Sequence, residues 1–376
     1  MKILTIVPSY KPAYIYGGPI ESVARLCEGL VSSGNVVDVF TTTANGNKEL
    51  EVKPGSTVNV DGVSVTYFRR ITKDHTHISP ALWKSLNNNV KKYDIVHIHS
   101  WWNILVMVAA WICHQSGVKV IISPRGMLSA YIINTTHSIP KKILHKSFGR
   151  KALAKAVFHA TAVSEKNECE GLIPNWKGFL LPNILNLPES IIIKPDNETF
   201  TLVFLSRIHP KKGIELLLEA VAQCKLPLKL EIAGSGEQTY ISELQAKTAI
   251  LGIEEKVDWI GWKNYEEKFD VLMQADLFVL TSYNENFANV VIEALHVGTP
   301  VLISEQVGLA SFVQENNLGW VSALKVSAIK AAIEEAYWDK EKRAYINIHA
   351  KDTIHKNFSQ EVLIKEYENN YRSLMA

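Results

Sequence analysis

Leu202-Val-Phe-Leu205-Ser-Arg207-Ile-His-Pro-Lys-Lys212-Gly213-Ile214-Glu-Leu-Leu-Leu-Glu-Ala-Val221 reads as an apolar strand, a basic loop and a helix with apolar periodicity. The loop sets two cations, Arg207 and Lys212, beside a helix N-terminus, whose first backbone N–H groups lack acceptors within the helix. Such a place attracts anions. Arginine offers a planar fork and lysine a point charge, so the pair suits a diphosphate, and it can neutralise charge as that group departs. The alternative is a solvated basic turn.

Outward from this unit the same alternation continues in both directions, the pattern of parallel sheets covered by helices on both faces. Strands are expected near 2–8, 36–42, 63–68, 94–98, 118–122 and 157–162, with helices over Glu21–Ser33 and Trp102–Ser116. A second set of strands is expected near 201–206, 228–233, 256–260, 276–281 and 299–303. Between the sets, Leu181-Pro-Asn-Ile-Leu-Asn-Leu-Pro188 through Lys194-Pro-Asp-Asn-Glu198 is rich in proline and asparagine, as a linker is. The reading is α/β: two doubly wound, Rossmann-like domains over residues 1–185 and 196–357, with a C-terminal helix near 358–376 packing back on the first. Ligands of such sheets bind beyond the carboxyl ends of the strands, here in a crevice between facing domains.

Glu285-Asn286-Phe287-Ala288-Asn289-Val-Val-Ile-Glu293 follows the fourth strand of the second set. Glu285 is expected on a loop and Glu293 about two turns into the next helix, so two carboxylates flank another helix N-terminus. Carboxylates at that spacing serve hydroxyl-rich ligands, and the N–H groups between them serve a phosphate.

Bulk properties narrow the classes. The 376 residues suggest two domains, and 47% hydrophobic with 21% charged residues is ordinary globular composition. A net charge of +2 is no nucleic-acid signature. Cys27, Cys113, Cys169 and Cys224 form no CxxC, which fits reduced thiols in a cytoplasmic protein and argues against structural zinc. Met1-Lys-Ile-Leu-Thr-Ile-Val-Pro8 is too short an apolar run for a signal peptide, and Trp101 to Cys113 is too short to span a bilayer.

In the first half, Tyr16-Gly17-Gly18-Pro19 leads into a helix at about Ile20; its glycines permit close backbone approach to a ligand, or make an ordinary turn. Asp94-Ile-Val-His97-Ile-His99 places two histidines on one strand face, His99 at the carboxyl end where function is expected and His97 in a packing position. In the second half, Ala233-Gly234-Ser235-Gly236 closes a strand, but Thr239 breaks the dinucleotide fingerprint.

Taken together, Gly17-Gly18, Asp94 to His99, Ser206-Arg207 with Lys212-Gly213, Ala233 to Gly236 and Glu285 to Glu293 resemble, in order and over almost the whole length, the retaining nucleotide-sugar glycosyltransferases of the GT-B fold, glycosyltransferase family 4. The resemblance implies that Arg207 and Lys212 hold the donor diphosphate, Glu285 the donor sugar and Glu293 the ribose hydroxyls. It implies that the loop at Gly17 and Gly18 reaches the diphosphate and the acceptor, and that Gly261-Trp262 meets the nucleotide base. On this resemblance Arg207, Lys212, Glu285 and His99 are the expected catalytic residues. Gly17, Gly18, Arg125, Gly234, Trp262, Asn286, Phe287, Ala288, Asn289 and Glu293 are the expected donor-binding residues.

The chain departs from the family at two places. Ser123-Pro-Arg125-Gly126 has arginine where many members carry a histidine; guanidinium stays protonated, so Arg125 would bind an anion or a sugar hydroxyl. Asn286 and Ala288 stand where the family often has glycines. No Asp-x-Asp triplet occurs, so no metal and no cofactor is expected, and the two cations replace a metal at the diphosphate of a UDP- or GDP-linked donor. The expected acceptor is a glycan or a polyprenyl-diphosphate-linked glycan of a bacterial surface polysaccharide such as lipopolysaccharide. A sugar-nucleotide epimerase and a non-catalytic nucleotide-sugar-binding module are the alternatives. Finally, Lys141 to Lys155 carries six cations and no acid, which suits either an anionic membrane face or a solvated helix.

Overall fold

The computed structural model describes residues 1–135, 149–189 and 198–375. The chain divides into two compact units, Met1–Asn186 joined by the segment from Phe358 onward, and Leu187–Asn357. The first unit thus ends one residue past the expected 185, and the second begins within the expected linker, ahead of the expected 196. His296 donates to the Pro188 carbonyl at 2.7 Å and Lys351 to the Glu189 carbonyl at 3.2 Å, which ties that stretch to the second unit. Most of the basic segment, residues 141–148, lies outside the described residues, as do linker residues 190–197.

The first unit is built on strands β1 (Lys2–Ile6), β2 (Val36–Thr42), β5 (Thr57–Val60), β6 (Val63–Phe68), β7 (Ile95–His99), β8 (Lys119–Ser123), β9 (Val157–Ala160) and β10 (Gly178–Leu180), with a small hairpin of β3 (Ala44–Asn45) and β4 (Lys48–Glu49). The large sheet runs β10-β9-β8-β7-β1-β2-β6-β5, and all its pairs are parallel except β5 with β6. The order reverses at β1, between β7 and β2. Alternate residues of β1 feed two cores, Leu4 and Ile6 on one face and Ile3 on the other, as two helix-covered faces require. The C-terminal helix Gln360–Met375 belongs to this unit because Leu363, Ile364, Tyr367 and Tyr371, at spacings of one, three and four residues, form a stripe that enters the second core.

The second unit has six parallel strands, β11 (Phe200–Leu205), β12 (Leu228–Ala233), β13 (Val257–Gly261), β14 (Leu277–Leu280), β15 (Val301–Ser304) and β16 (Gly319–Ser322), in the order β13-β12-β11-β14-β15-β16. Its switch point lies between β11 and β14. Sequence periodicity misses the short strands β3, β4, β5, β10 and β16. β16 pairs only because Gly319 lacks a side chain, since a Cβ there would lie 2.0 Å from the Val301 carbonyl oxygen. No helix among the described residues is long and apolar enough to cross a membrane.

Candidate active site

In the second unit Arg207, Lys212 and the Glu285 to Glu293 element follow the carboxyl ends of β11 and β14, which flank the switch point where open α/β sheets bind ligands, while Gly234 and Trp262 follow β12 and β13. β11 ends at Leu205 and the chain turns through Arg207 and a short 3-10 turn, Pro210–Lys212, into the helix Ile214–Gln223. Gly213 makes this turn in the left-handed region, at φ 63°. A Cβ there would lie 2.3 Å from the Thr281 carbonyl oxygen, so the loop after β11 sits directly on the end of β14. Gly234 plays a similar part: its Cβ would meet the Ser206 carbonyl oxygen at 1.9 Å. The glycine turn after β12 therefore supports the Arg207 loop through backbone contact, with Ile208 bridging to Gly236.

Lys212 and Arg207 occupy different environments. Lys212 is buried and ion-paired with Glu285, while Arg207 is exposed. Glu285 is fixed by its backbone, whose N–H donates to the Gln306 carbonyl at 3.1 Å and whose carbonyl accepts from Gly308 at 2.9 Å. His209 accepts from the Lys211 N–H at 3.1 Å, and burial with three neighbouring cations, Arg207 foremost, lowers its pKa.

Glu293 lies on the helix Asn289–His296, little more than one turn in rather than two, because Ala288 already caps it. Ala288 adopts the left-handed region, φ 64° and ψ 73°, which carries strain for alanine; Asn286, which tolerates that region better, does not adopt it. The Phe287 side chain is buried in packing, so its ring is not presented to a ligand. Glu293 is buried and ion-paired with Lys268 at 2.8 Å. Lys268 was not singled out by sequence. It comes from the helix Tyr265–Gln274, fixed by a reciprocal capping box between Asn264 and Glu267, and its ammonium lies 5.1 Å from the Phe269 ring centre. The signal was present, since Asn264-x-x-Glu267 is a helix-start motif that puts Lys268 in the first turn. Trp262, after β13, is 66% exposed and free to stack with a ligand.

In the first unit the candidates stand at the ends of β1, β7 and β8. Gly17 has φ 74° and caps the helix Gly18–Ser32, which starts two residues before Ile20. A Cβ at Gly17 would meet nothing within 4 Å, which leaves open space above the turn. His99 ends β7 and is 1% exposed. Arg125 follows β8 in the left-handed region, φ 58°, and is half-buried. Its Nη2 donates to His99 Nδ1 at 3.2 Å, and its Nη1 donates to Asn183 Oδ1 and, at 3.5 Å, to Ser22 Oγ.

Behind this pair runs a chain of hydrogen bonds whose directions follow from its far end. His159 Nε2 faces the Leu181 carbonyl at 2.9 Å, and a carbonyl only accepts, so His159 carries its proton on Nε2. Its Nδ1 then accepts from Ser123 Oγ at 2.6 Å. Ser123, its proton spent, accepts from His97 Nε2 at 2.6 Å, and His97 Nδ1 accepts from the Tyr371 hydroxyl at 2.6 Å. Tyr367 donates to the Pro182 carbonyl at 3.1 Å. Burial holds all three histidines neutral: it takes His159 down to about 3 and His97 and His99 well below the ordinary value, with Arg125 reinforcing each shift. Because Arg125 can only donate, His99 Nδ1 is an acceptor and its proton is on Nε2. His99 therefore has no free basic nitrogen, and what it offers a ligand is a donor. Its Nε2–H is buried with no partner among the described residues.

A family profile described as glycosyltransferase family 4 matches residues 16–169, and one described as glycosyl transferases group 1 matches residues 189–353. An uncharacterized glycosyltransferase of Methanocaldococcus jannaschii is 28% identical and aligns over 100% of this chain and 99% of its own. The lipopolysaccharide core biosynthesis glycosyltransferase LpsE of Rhizobium meliloti is 29% identical over 43% of this chain and 47% of its own. Among solved structures, Anabaena HepE in complex with UDP-glucose superposes with a TM-score of 0.74 at 18% identity, over 99% of this chain and 100% of that one. With both units matched, the chain belongs to the family 4 glycosyltransferases and has the GT-B fold.

Proposed function

We propose that the protein is a retaining glycosyltransferase that moves a sugar from a UDP- or GDP-linked donor to a glycan or lipid-linked acceptor during surface-polysaccharide assembly, at the cytoplasmic side of the membrane. One observation carries the reading: Lys212 and Glu285 pair at the switch point of the second unit, on loops locked together at Gly213, with Arg207 exposed on the first loop and Glu293 on the helix that follows the second. HepE binds UDP and UDP-glucose, and LpsE serves lipopolysaccharide core synthesis; both support the donor and pathway proposed here.

In this mechanism the diphosphate displaces Glu285 from Lys212, and exposed Arg207 closes on it as a planar fork. Glu285, released, accepts from donor-sugar hydroxyls, while Glu293 accepts from the ribose. The bond from the anomeric carbon to the diphosphate oxygen breaks as the acceptor hydroxyl attacks the same face. The acceptor proton passes to the leaving diphosphate, so no protein base is required. Stabilisation of that leaving group by Arg207 and Lys212 carries most of the rate.

A thermal-shift screen of UDP-, GDP-, ADP- and CMP-sugars, followed by NMR assignment of the product anomer, tests the reading, because a ligand that binds only the native state raises its stability. The expected result is a shift with one nucleoside diphosphate sugar and a product that keeps the donor's anomeric configuration. An isomerised sugar nucleotide formed without acceptor would overturn it in favour of an epimerase.

A further inference from the structure

We infer that Arg125 is the cation of an anion subsite within the first unit, and that the substrate carries an acid group, a carboxylate or a phosphate, besides the donor diphosphate. The inference rests on the glycosyltransferase reading above and adds the chemistry of one substrate to it.

Arg125 is half-buried, yet among the described residues no carboxylate lies within ion-pair distance of it. Its acceptors are all neutral: the Asn183 amide, the Ser22 hydroxyl and the His99 imidazole. Glu165 lies near enough to act on it at a distance. The carboxylate of Glu165, however, is held by other donors, the Gly126 N–H at 2.6 Å and the Thr161 N–H at 2.8 Å. A guanidinium withdrawn from water without a counter-charge is unfavourable, and proteins keep such groups where a ligand supplies the charge.

Three of its five N–H groups are accounted for. Nε–H is buried without an acceptor, and one N–H of Nη2 is left over. Beside it stands the equally unpartnered His99 Nε2–H, on a side chain 1% exposed. Every uncommitted polar atom of this pair is thus a donor, the complement of an oxyanion. The place is right as well: β7 and β8 both end here, next to the sheet's reversal at β1 and the open turn at Gly17.

The acid could sit on the transferred sugar, as in a hexuronate, or on the acceptor, as a phosphate. Calorimetric titration of methyl glucuronoside and of inorganic phosphate into wild type, Arg125→Gln and Arg207→Ala separates the sources and the sites. Wild type and Arg207→Ala are expected to bind one of the two anions, and Arg125→Gln to bind it at least tenfold more weakly. Glucuronoside binding assigns the acid to the sugar, and phosphate binding alone assigns it to the acceptor. UDP and GDP titrated into the same proteins report on the glycosyltransferase reading independently: their affinity should survive Arg125→Gln, and failure of both to bind wild type would count against that reading only. Arg125→Lys, which keeps the charge and loses the fork, is expected to bind the anion severalfold more weakly and stands in if the glutamine variant does not fold. Neither anion binding to wild type, or Arg125→Gln binding as tightly as wild type, would overturn the inference.

Discussion

At the residue scale the two glutamates separate by partner. Glu293 is bonded to Lys268 deep in the second unit, whereas Glu285 is bonded to a lysine that the donor is expected to claim. Glu293→Ala should therefore weaken the free nucleoside diphosphate as well as the intact donor, by the ~1.5–3 kcal/mol of a charged hydrogen bond. It should also lower the stability of the fold, since the half-buried Lys268 ammonium loses its carboxylate partner. Glu285→Ala should weaken the intact donor and spare the free nucleotide. Calorimetry with both ligands and urea unfolding of both variants make the comparison, and equal loss of free nucleotide in the two would refute the assignment. The cations differ in the same way. Arg207→Ala and Lys212→Ala should each lower turnover ~100-fold or more, but exposed Arg207 should leave stability within ~0.5 kcal/mol, while Lys212→Ala should lower it. Steady-state kinetics beside thermal melts checks this; a raised Michaelis constant with unchanged turnover would mean uniform ground-state binding instead.

At the scale of elements, the C-terminal helix is held to the first unit by polar bonds as well as by packing. Tyr371→Phe leaves His97 Nδ1, a buried acceptor, without its donor, which should cost ~1–3 kcal/mol. Urea unfolding measures it, and an unchanged midpoint would show that the hydrogen-bond chain adds nothing to stability. Elements of this kind mark the limit of what sequence conveys. Apolar runs and glycine turns made the parallel α/β fold legible, because burial on both sheet faces writes itself into local composition. The loops with Arg207 and Glu285 were legible because each follows such a run. The His97–Ser123–His159–Tyr371 chain was not, since its members lie up to 274 residues apart and only the tertiary fold unites them. Lys268 escaped notice because lysine in a first helical turn is ordinarily a surface residue.

For the whole molecule, the buried neutral histidines make stability pH-dependent. Their folded-state pKa values lie below the unfolded value near 6.5, so the unfolded chain binds more protons as pH falls through that value. The stability they contribute is complete above about pH 6.5 and is lost progressively toward pH 3, where His159 itself titrates, by up to ~1.4 kcal/mol per histidine per pH unit. Unfolding midpoints at pH 7.0, 5.5 and 4.5 should fall in that order, and His159→Gln should flatten the slope; a profile flat between pH 7.0 and 4.5 would contradict the argument. Turnover should also survive EDTA, because two cations already attend the proposed diphosphate and, among the described residues, no group of three acidic, histidine or cysteine side chains stands together. Loss of activity on chelation, restored by magnesium or manganese, would place a metal in the mechanism.

The return of the chain to the first unit after Asn357 also sets the timetable of synthesis. Residues 1–186 leave the ribosome without Leu363, Ile364, Tyr367 and Tyr371, so one face of their sheet is covered only in part, by the helix Gly18–Ser32, and His97 lacks its donor until the 171 residues from Leu187 to Asn357 and the final helix have been made. At ~5–20 residues per second that interval is roughly 10–35 s. The second unit, continuous in sequence, can fold in the meantime, so the part of the protein that begins first is the part that finishes last.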